Sequence, residues 1–215
     1  SSTYGMHVNL AVTEYLLQNG ADPNFCPSVN GISTPHPLSR CKNIELMRLL
    51  AKHGADFNKP GNSGDLFLNT IAGVNSSLVS CALELGANPK LTDAEGRSAL
   101  MMARTIDVAL LLLQAAPEML LHTDNDGNAA LHHIAGAAPC DFATGPSDLS
   151  TLPTYNTQAK INTNITGAVD ATDIIHLFIS AGLSPNSQNK SGQTPLMLAA
   201  ANGSLSTVTL MLKMG

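Results

Sequence analysis

The chain has 215 residues, 44% hydrophobic and 13% charged, with a formal net charge of -5. That composition fits a large folded domain or an extended array and excludes a disordered tail. Its mild acidity, with no basic run anywhere, argues against nucleic acid or an anionic membrane surface as the main partner, because both reward clustered Lys and Arg.

In chain order, the first element is a helix over Asn9 to Asn19, closed by "LLQNGADPN" (Leu16–Asn24). The closing phrase returns as "LLAKHGADFN" (Leu49–Asn58), "ALELGANPK" (Ala82–Lys90) and "FISAGLSPN" (Phe178–Asn186). Its glycines are Gly20, Gly54, Gly86, Gly182 and, at the chain end, Gly215; the spacings are 34 from Gly20 to Gly54, 32 from Gly54 to Gly86 and 33 from Gly182 to Gly215. Between phrases a second glycine recurs at Gly31, Gly64, Gly96, Gly127 and Gly192. After each second glycine an apolar run opens: "GDLFLNTIA" (64–72), "GRSALMMA" (96–103) and "DNDGNAALHHIA" (124–135). The segment Val108–Leu121 is apolar for most of a helix, yet it is too short and Pro-broken to cross a bilayer.

The last stretch, "SGQTPLMLAAANGSLSTVTLMLKMG" (191–215), shows the local logic best. Thr194 is a predicted N-cap and Pro195 suits the first helical position, where its missing N–H would be unpaired anyway. Leu196, Leu198 and Ala199 then form a thin apolar stripe. Asn202-Gly203 breaks the helix, and Val208, Leu210, Met211 and Leu212 open a second one. Such a short helix pair buries too little area to stand alone, so it needs neighbours.

These phrases, in register over nearly the whole chain, resemble the ankyrin repeat: a turn, a helix opened by T-P-L-H-x-A, a tight loop, a longer helix, then G-A-D-x-N. The resemblance implies an all-α solenoid of stacked helix-loop-helix units with β-hairpin-like loops, as one ankyrin-repeat domain over 1–215. The expected units are 1–30 (partial), 31–63, 64–95, 96–126, 127–191 and 192–215 (partial). His132 falls at the family's histidine position. The Thr, Pro and Gly of the repeat, such as Thr34, Thr194, Pro195 and the phrase glycines, are scaffold. Asp22 and Asp56 are expected to bond turn backbone. The family also includes substrates of an asparaginyl hydroxylase acting on the phrase's closing asparagine. Asn24 and Asn58 fit that motif best and Asn186 less well.

Three departures stand out. The fourth unit lacks about three residues between its helices, and its closing phrase, "QAAPEML", has no glycine, so that turn should bend differently. The fifth unit carries an insertion, 139–169, rich in Thr, Asn and Pro; a loop this long is either functional or disordered. Neither end of the chain has a convincing polar capping unit, which reads as a portion excised from a longer protein, with worn terminal caps as the alternative.

No catalytic, metal or cofactor site is expected. His132, His133 and Cys140 are metal-ligand types, with His122 nearby, but their spacing fits no standard pattern. The chain has no nucleophile elbow, P-loop lysine motif or H-E-x-x-H. Asp93, Glu95, Asp124 and Asp126 belong to successive hairpins, and Ser204, Ser206 and Thr207 read as a solvated helix start. Cys26, Cys41, Cys81 and Cys140 form no C-x-x-C pair. They read as reduced thiols in an intracellular protein, cytoplasmic or nuclear.

What remains is surface. Family members usually bind partners through hairpin tips and the inner face of the first helices. That resemblance points to Ile32, Asn62, Asp65, Glu95, Arg97, Asn125, Asn128, Lys190 and Gln193, with Ala94, Asp126 and Ser191 between them. Arg40, Cys41, Gly136 and Asn202 would line the same face. Hot spots favour large aromatics and Arg, and the chain has no Trp. Phe25, and Phe142 and Tyr155 in the insertion, are therefore the candidate anchors. The expected function is a non-catalytic protein-interaction module, with no membrane insertion, that binds a protein partner or another domain of its own parent chain. The alternative is a regulatory or substrate-recruiting segment of an enzyme whose catalytic domain lies elsewhere.

Overall fold

The computed structural model describes residues 10–25, 28–29, 32–33, 38, 41–61, 64–137 and 171–214. The candidate residues Asn62, Phe142 and Tyr155, the insertion as a whole, Arg40, Cys26 and Cys140 lie outside these residues.

The fold is an all-α ankyrin-repeat solenoid built from two rows of short helices. The first row comprises α3 (Phe67–Ala72), α5 (Ala99–Met102), α7 (Ala130–Ala135) and α9 (Pro195–Ala201). Each of its helices packs on the next: α3 on α5, α5 on α7, and α7 on α9. The second row comprises α2 (Ile44–Lys52), α4 (Ser76–Glu84), α6 (Ile106–Ala115), α8 (Ala171–Ser180) and α10 (Leu205–Met214). It stacks in the same order, and α3–α4, α5–α6, α7–α8 and α9–α10 join the rows. Helix α1 (Leu10–Gln18) precedes them. Helices of 4 to 10 residues are too short to hold in isolation, so their stability comes from the faces they bury on one another. Those faces repeat: Leu68, Leu100 and Leu131 stand four residues after their hairpin glycines, at 3%, 2% and 0% exposure. Val79, Ala82, Ala109, Ile174 and Phe178, all at 0%, close the second row.

Helix starts are capped as the residue types suggest. The side chains of Asn43, Asn75, Thr105 and Thr194 accept N–H groups from the first turns of α2, α4, α6 and α9. Pro195 occupies the start of α9 as expected. Strand structure is minimal: β1 (Ser28–Val29) pairs antiparallel with β2 (Ile32–Ser33), and single bridges join Thr92 to Ser98 and Thr123 to Ala129.

The fourth helix pair absorbs its deficit in an unanticipated place. The loop from α5 to α6 (103–105) is as long as that from α3 to α4 (73–75); it is α5 that is cut to four residues. After α6 the missing glycine turn is replaced by a 3-10 helix, Pro117–Leu121, which delivers the chain to the next hairpin. At the insertion, α7 ends at Ala135 and α8 begins at Ala171, yet α8 packs on α6, α7 and α10 in regular order.

Two side-chain expectations need correction. Ser204 and Thr207 are buried, at 7% and 3% exposure, with their hydroxyls 2.8 Å apart, and of the three hydroxyl residues only Ser206 is exposed. Thr207 stands where α8 has Ile174, so it faces the core and Ser204 satisfies its hydroxyl. Cys41, expected on the open face, is 2% exposed and packed in the core. Burial pushes its thiol above the ordinary range.

Candidate interaction surface

Four hairpins precede α3, α5, α7 and α9, and each is closed the same way. Gly61, Asp93, Asp124 and Asn189 donate their N–H to the carbonyl four residues on, and accept the N–H of the tip glycine three residues on, at 2.9–3.0 Å. Three of these anchors add a side-chain clamp. Oδ1 of Asp93 accepts from the N–H groups of Glu95 (3.1 Å) and Arg97 (2.8 Å). Asp124 does the same for Asp126 and Asn128, and Asn189 for Ser191 and Gln193.

The tips are then bonded to one another. The N–H of Asn125 reaches the carbonyl of Glu95, and that of Lys190 the carbonyl of Asp126, both at 2.9 Å. Side chains reinforce this: Asn125 Nδ2 donates to the Ala94 carbonyl at 3.0 Å, and Lys190 Nζ to the Asn125 carbonyl at 2.6 Å. The close approach explains the recurrent tip glycine. A Cβ on Gly64 would stand 2.9 Å from the Ala94 Cβ, and one on Gly96 would stand 2.6 Å from Asn125 Oδ1.

Of the expected surface residues, Asp65, Glu95, Asn125, Lys190 and Gln193 are exposed along this ladder. Arg97 and Asn128 are partly buried. Arg97 Nε pairs with Asp93 at 2.8 Å and its Nη2 with Glu95 at 3.0 Å, and Asn128 bonds Asp124 and Asn189. Ile32 lies in β2. Phe25 is 62% exposed, beyond the end of α1. Asn202, exposed, donates to the carbonyl of Gly136, tying the ends of α9 and α7 together.

The closing phrases make a second ladder. Asp22 and Asp56 accept the N–H of Asn24 and Asn58, as expected of turn aspartates. Asn24 in turn reaches into the next phrase: Oδ1 accepts the Asp56 N–H at 2.7 Å and Nδ2 donates to the Gly54 carbonyl at 2.8 Å.

Two histidines of α7 are bonded to the hairpin ladder. His132 is 1% exposed; its Nδ1 accepts the Ala129 N–H at 3.2 Å, so its Nε2 carries the proton it donates to the Gln193 carbonyl at 3.2 Å. Asn69, at the same register, makes the same cross-repeat bond to the Arg97 carbonyl at 2.8 Å. His133 Nε2 lies 2.8 Å from Asp124 Oδ2. Burial lowers the pKa of both histidines, against the pull of Gln193 on His132 and of Asp124 on His133. Burial works upward on Asp124, but the hydrogen bonds from Asn128, His133 and Asp126 outweigh it and hold the carboxyl below its usual range. His122 Nε2 bonds the Gly96 carbonyl at 2.9 Å.

Beside these groups is a cavity of about 580 Å³ between hairpin tips and first-row helices, lined by Arg104, Asp126, Asn128, His132, His133, Gly136, Ala137, Asn189, Ser191, Gln193 and Leu198. The sequence reading missed Arg104, His133 and Leu198 as surface, because their convergence depends on three helix pairs stacking. The anchoring roles of Asp93, Asp124 and Asn189 were missed as well, although a signal was present: each stands three residues before a tip glycine.

Comparison with known proteins agrees with this geometry. The family model for ankyrin repeats (many copies) matches residues 170–212. The chain is 27% identical over 199 residues to human transient receptor potential cation channel subfamily A member 1, covering 84% of this chain and 17% of that protein. It is 31% identical over 109 residues to an ankyrin repeat protein of Acanthamoeba polyphaga mimivirus, covering 48% of this chain and 67% of that one. The chain thus spans a small part of the human channel's length. With its helix rows, hairpin ladder and asparagine-linked turns, the chain belongs to the ankyrin repeat family.

Proposed function

We propose that this array is a non-catalytic protein-interaction module that binds its partner on the inner face, where hairpin tips meet the first helix row. The observation that carries this reading is the hairpin ladder. Its backbone groups are satisfied by the neighbouring hairpins, which leaves the side chains of Glu95, Asp126, Ser191 and Gln193 exposed along a fixed line. A preformed polar surface beside a cavity loses little entropy on binding. Among the described residues no helix is long and apolar enough to cross a membrane, and Cys41 and Cys81 are free, buried thiols, which supports an intracellular setting. The array is read as a single domain over 1–215, and the partner as either a separate protein or another region of the parent chain.

Site-specific photocrosslinking tests this. A crosslinker at Glu95 or Ser191 should capture the partner, whereas one at Ser180 or Lys213, exposed on the second row, should not. Capture from the second row alone rejects the inner face. A partner lost only when 139–169 is replaced by a short Gly-Ser turn, with inner-face crosslinks absent, transfers recognition to the insertion and to Phe142 and Tyr155.

A further inference from the structure

Taking the inner face as the binding face, we infer that the cavity at Asp126, His133 and Ser191 receives a basic side chain, Lys or Arg, of the bound protein segment. The lining is polar, and its hydrogen-bonding groups are unequally committed. His132 has both ring nitrogens engaged within the protein. Arg104 gives Nη1 to the carbonyls of Met101 and Ala103 at the end of α5. The Asp126 carboxylate, by contrast, is exposed and makes no hydrogen bond or ion pair with a described residue. His133 spends Nε2–H on Asp124, which leaves its other ring nitrogen an acceptor with no bond from a described residue, on a side chain that lines the cavity.

Two acceptors await donors, and the charge points the same way. With both histidines neutral, the charged groups of the lining are Arg104 and Asp126. The cations around them are engaged: Arg104 with carbonyls of α5, Arg97 with Asp93 and Glu95, and Lys190 with the Asn125 carbonyl. The Asp126 carboxylate is thus the charge left to pair, and it favours a guanidinium or ammonium over a carboxylate or phosphate. Exposed Asp65 and Glu95 on the preceding tips, and a net charge of -5 for the chain, favour approach of a basic segment. The cavity is large enough for a long side chain, and Leu198 offers its aliphatic stem an apolar wall.

The site also carries a pH sense. Protonating His133 turns that nitrogen from acceptor to donor and adds a positive charge to surroundings that already hold Arg104 and Arg97, along with Asp124 and His132. A basic ligand should therefore be released on acidification below the ordinary histidine range.

The test titrates the full chain, labelled with nitrogen-15 histidine, with two probes: acetyl-Gly-Arg-Gly-amide and acetyl-Gly-Glu-Gly-amide. The arginine peptide should shift the His133 ring signals saturably, more weakly at acid pH, and the glutamate peptide should not. Asp126→Asn, which keeps the hairpin's backbone bonds, should weaken the arginine peptide about tenfold, as expected for a hydrogen bond to a charged group. Equal binding of the glutamate peptide, an unchanged affinity in Asp126→Asn, or no saturable shift at millimolar peptide overturns the assignment. A saturable shift confined to His122, beneath the Gly96 tip, removes the cavity but leaves the inner-face reading standing, and crosslinking at Glu95 tests that reading separately.

Discussion

Asn58 holds the turn containing Asn88 from two sides: its Oδ1 accepts the Asn88 N–H at 2.7 Å while its Nδ2 donates to the Gly86 carbonyl at 3.0 Å. Asn24 grips Gly54 and Asp56 in the same way, one repeat earlier. One amide thus serves as donor and acceptor to a turn about 30 residues away, which pins the register between successive second-row helices.

Asn58→Ala should remove both bonds and cost about 2 kcal/mol, at roughly 1 kcal/mol per hydrogen bond. Asn58→Asp keeps the acceptor, but sets a carboxylate oxygen against the Gly86 carbonyl, and should lose at least half as much. Urea unfolding midpoints at constant slope measure both. A loss within about 0.3 kcal/mol for the alanine variant would show that these exposed bonds merely exchange with water.

The two sets of glycines should respond differently to alanine. Gly86 has φ +92, and a Cβ there would meet nothing within 4 Å, so Gly86→Ala encounters only backbone strain, about 1–2 kcal/mol. Gly96 has φ +77 and would also collide with Asn125 of the next tip. Gly96→Ala should therefore cost clearly more, and adding Asn125→Gly should recover only part of the difference relative to Asn125→Gly alone, because the Asn125 backbone nitrogen stays 3.0 Å from the new Cβ. Thermal melts of the wild type, Gly86→Ala, Gly96→Ala, Asn125→Gly and the double variant decide this.

One hairpin lacks its clamp. Gly61 makes the same two backbone bonds as Asp93, Asp124 and Asn189 but has no side chain to hold the tip. Gly61→Asn should stabilise the chain by about 0.5–1 kcal/mol, by restricting the unfolded backbone and adding the missing acceptor. A lowered unfolding midpoint would contradict the equivalence of the four anchors.

Acidification should destabilise the array in a window just below pH 6.5. There the unfolded histidines take up protons, while His132 and His133, with lowered pKa values, do not. The unfolded chain binds more protons, so stability is complete above that window and falls as pH drops through it. His132→Asn copies the bond that Asn69 already makes in an earlier repeat and should flatten the slope between about pH 7 and 5. Asp124 adds a separate loss at lower pH, because its depressed pKa stabilises the fold only while the carboxylate stays ionised. Urea titrations at several pH values read both windows.

Much of the scaffold was legible because one-dimensional stacking repeats its requirements. A positive-φ turn demands glycine at Gly54 and Gly86, a helix start rewards Thr194, and Leu100 and Leu131 recur at one distance from a tip. The cavity was not legible. Arg104, His133 and Leu198 come from three different helix pairs and meet only through their stacking. Ser204 and Thr207 were misjudged for a related reason. Hydroxyls suggest solvent, but α10 sets Thr207 on its packed face, and the two satisfy each other.

The 35 residues that separate Ala135 from Ala171 show how little such a stack depends on short connections between its helices. An ordinary inter-helix loop here is three residues (73–75), and residues 136–170 amount to between three and four doublings of that length. At about 0.6 kcal/mol per doubling, closing a connection of that length costs roughly 2 kcal/mol more. The contacts of α8 with α6, α7 and α10 are made regardless. The array is thus a spine with a splice point: new polypeptide can be admitted between its two rows for the cost of one or two hydrogen bonds, without moving any repeat out of phase.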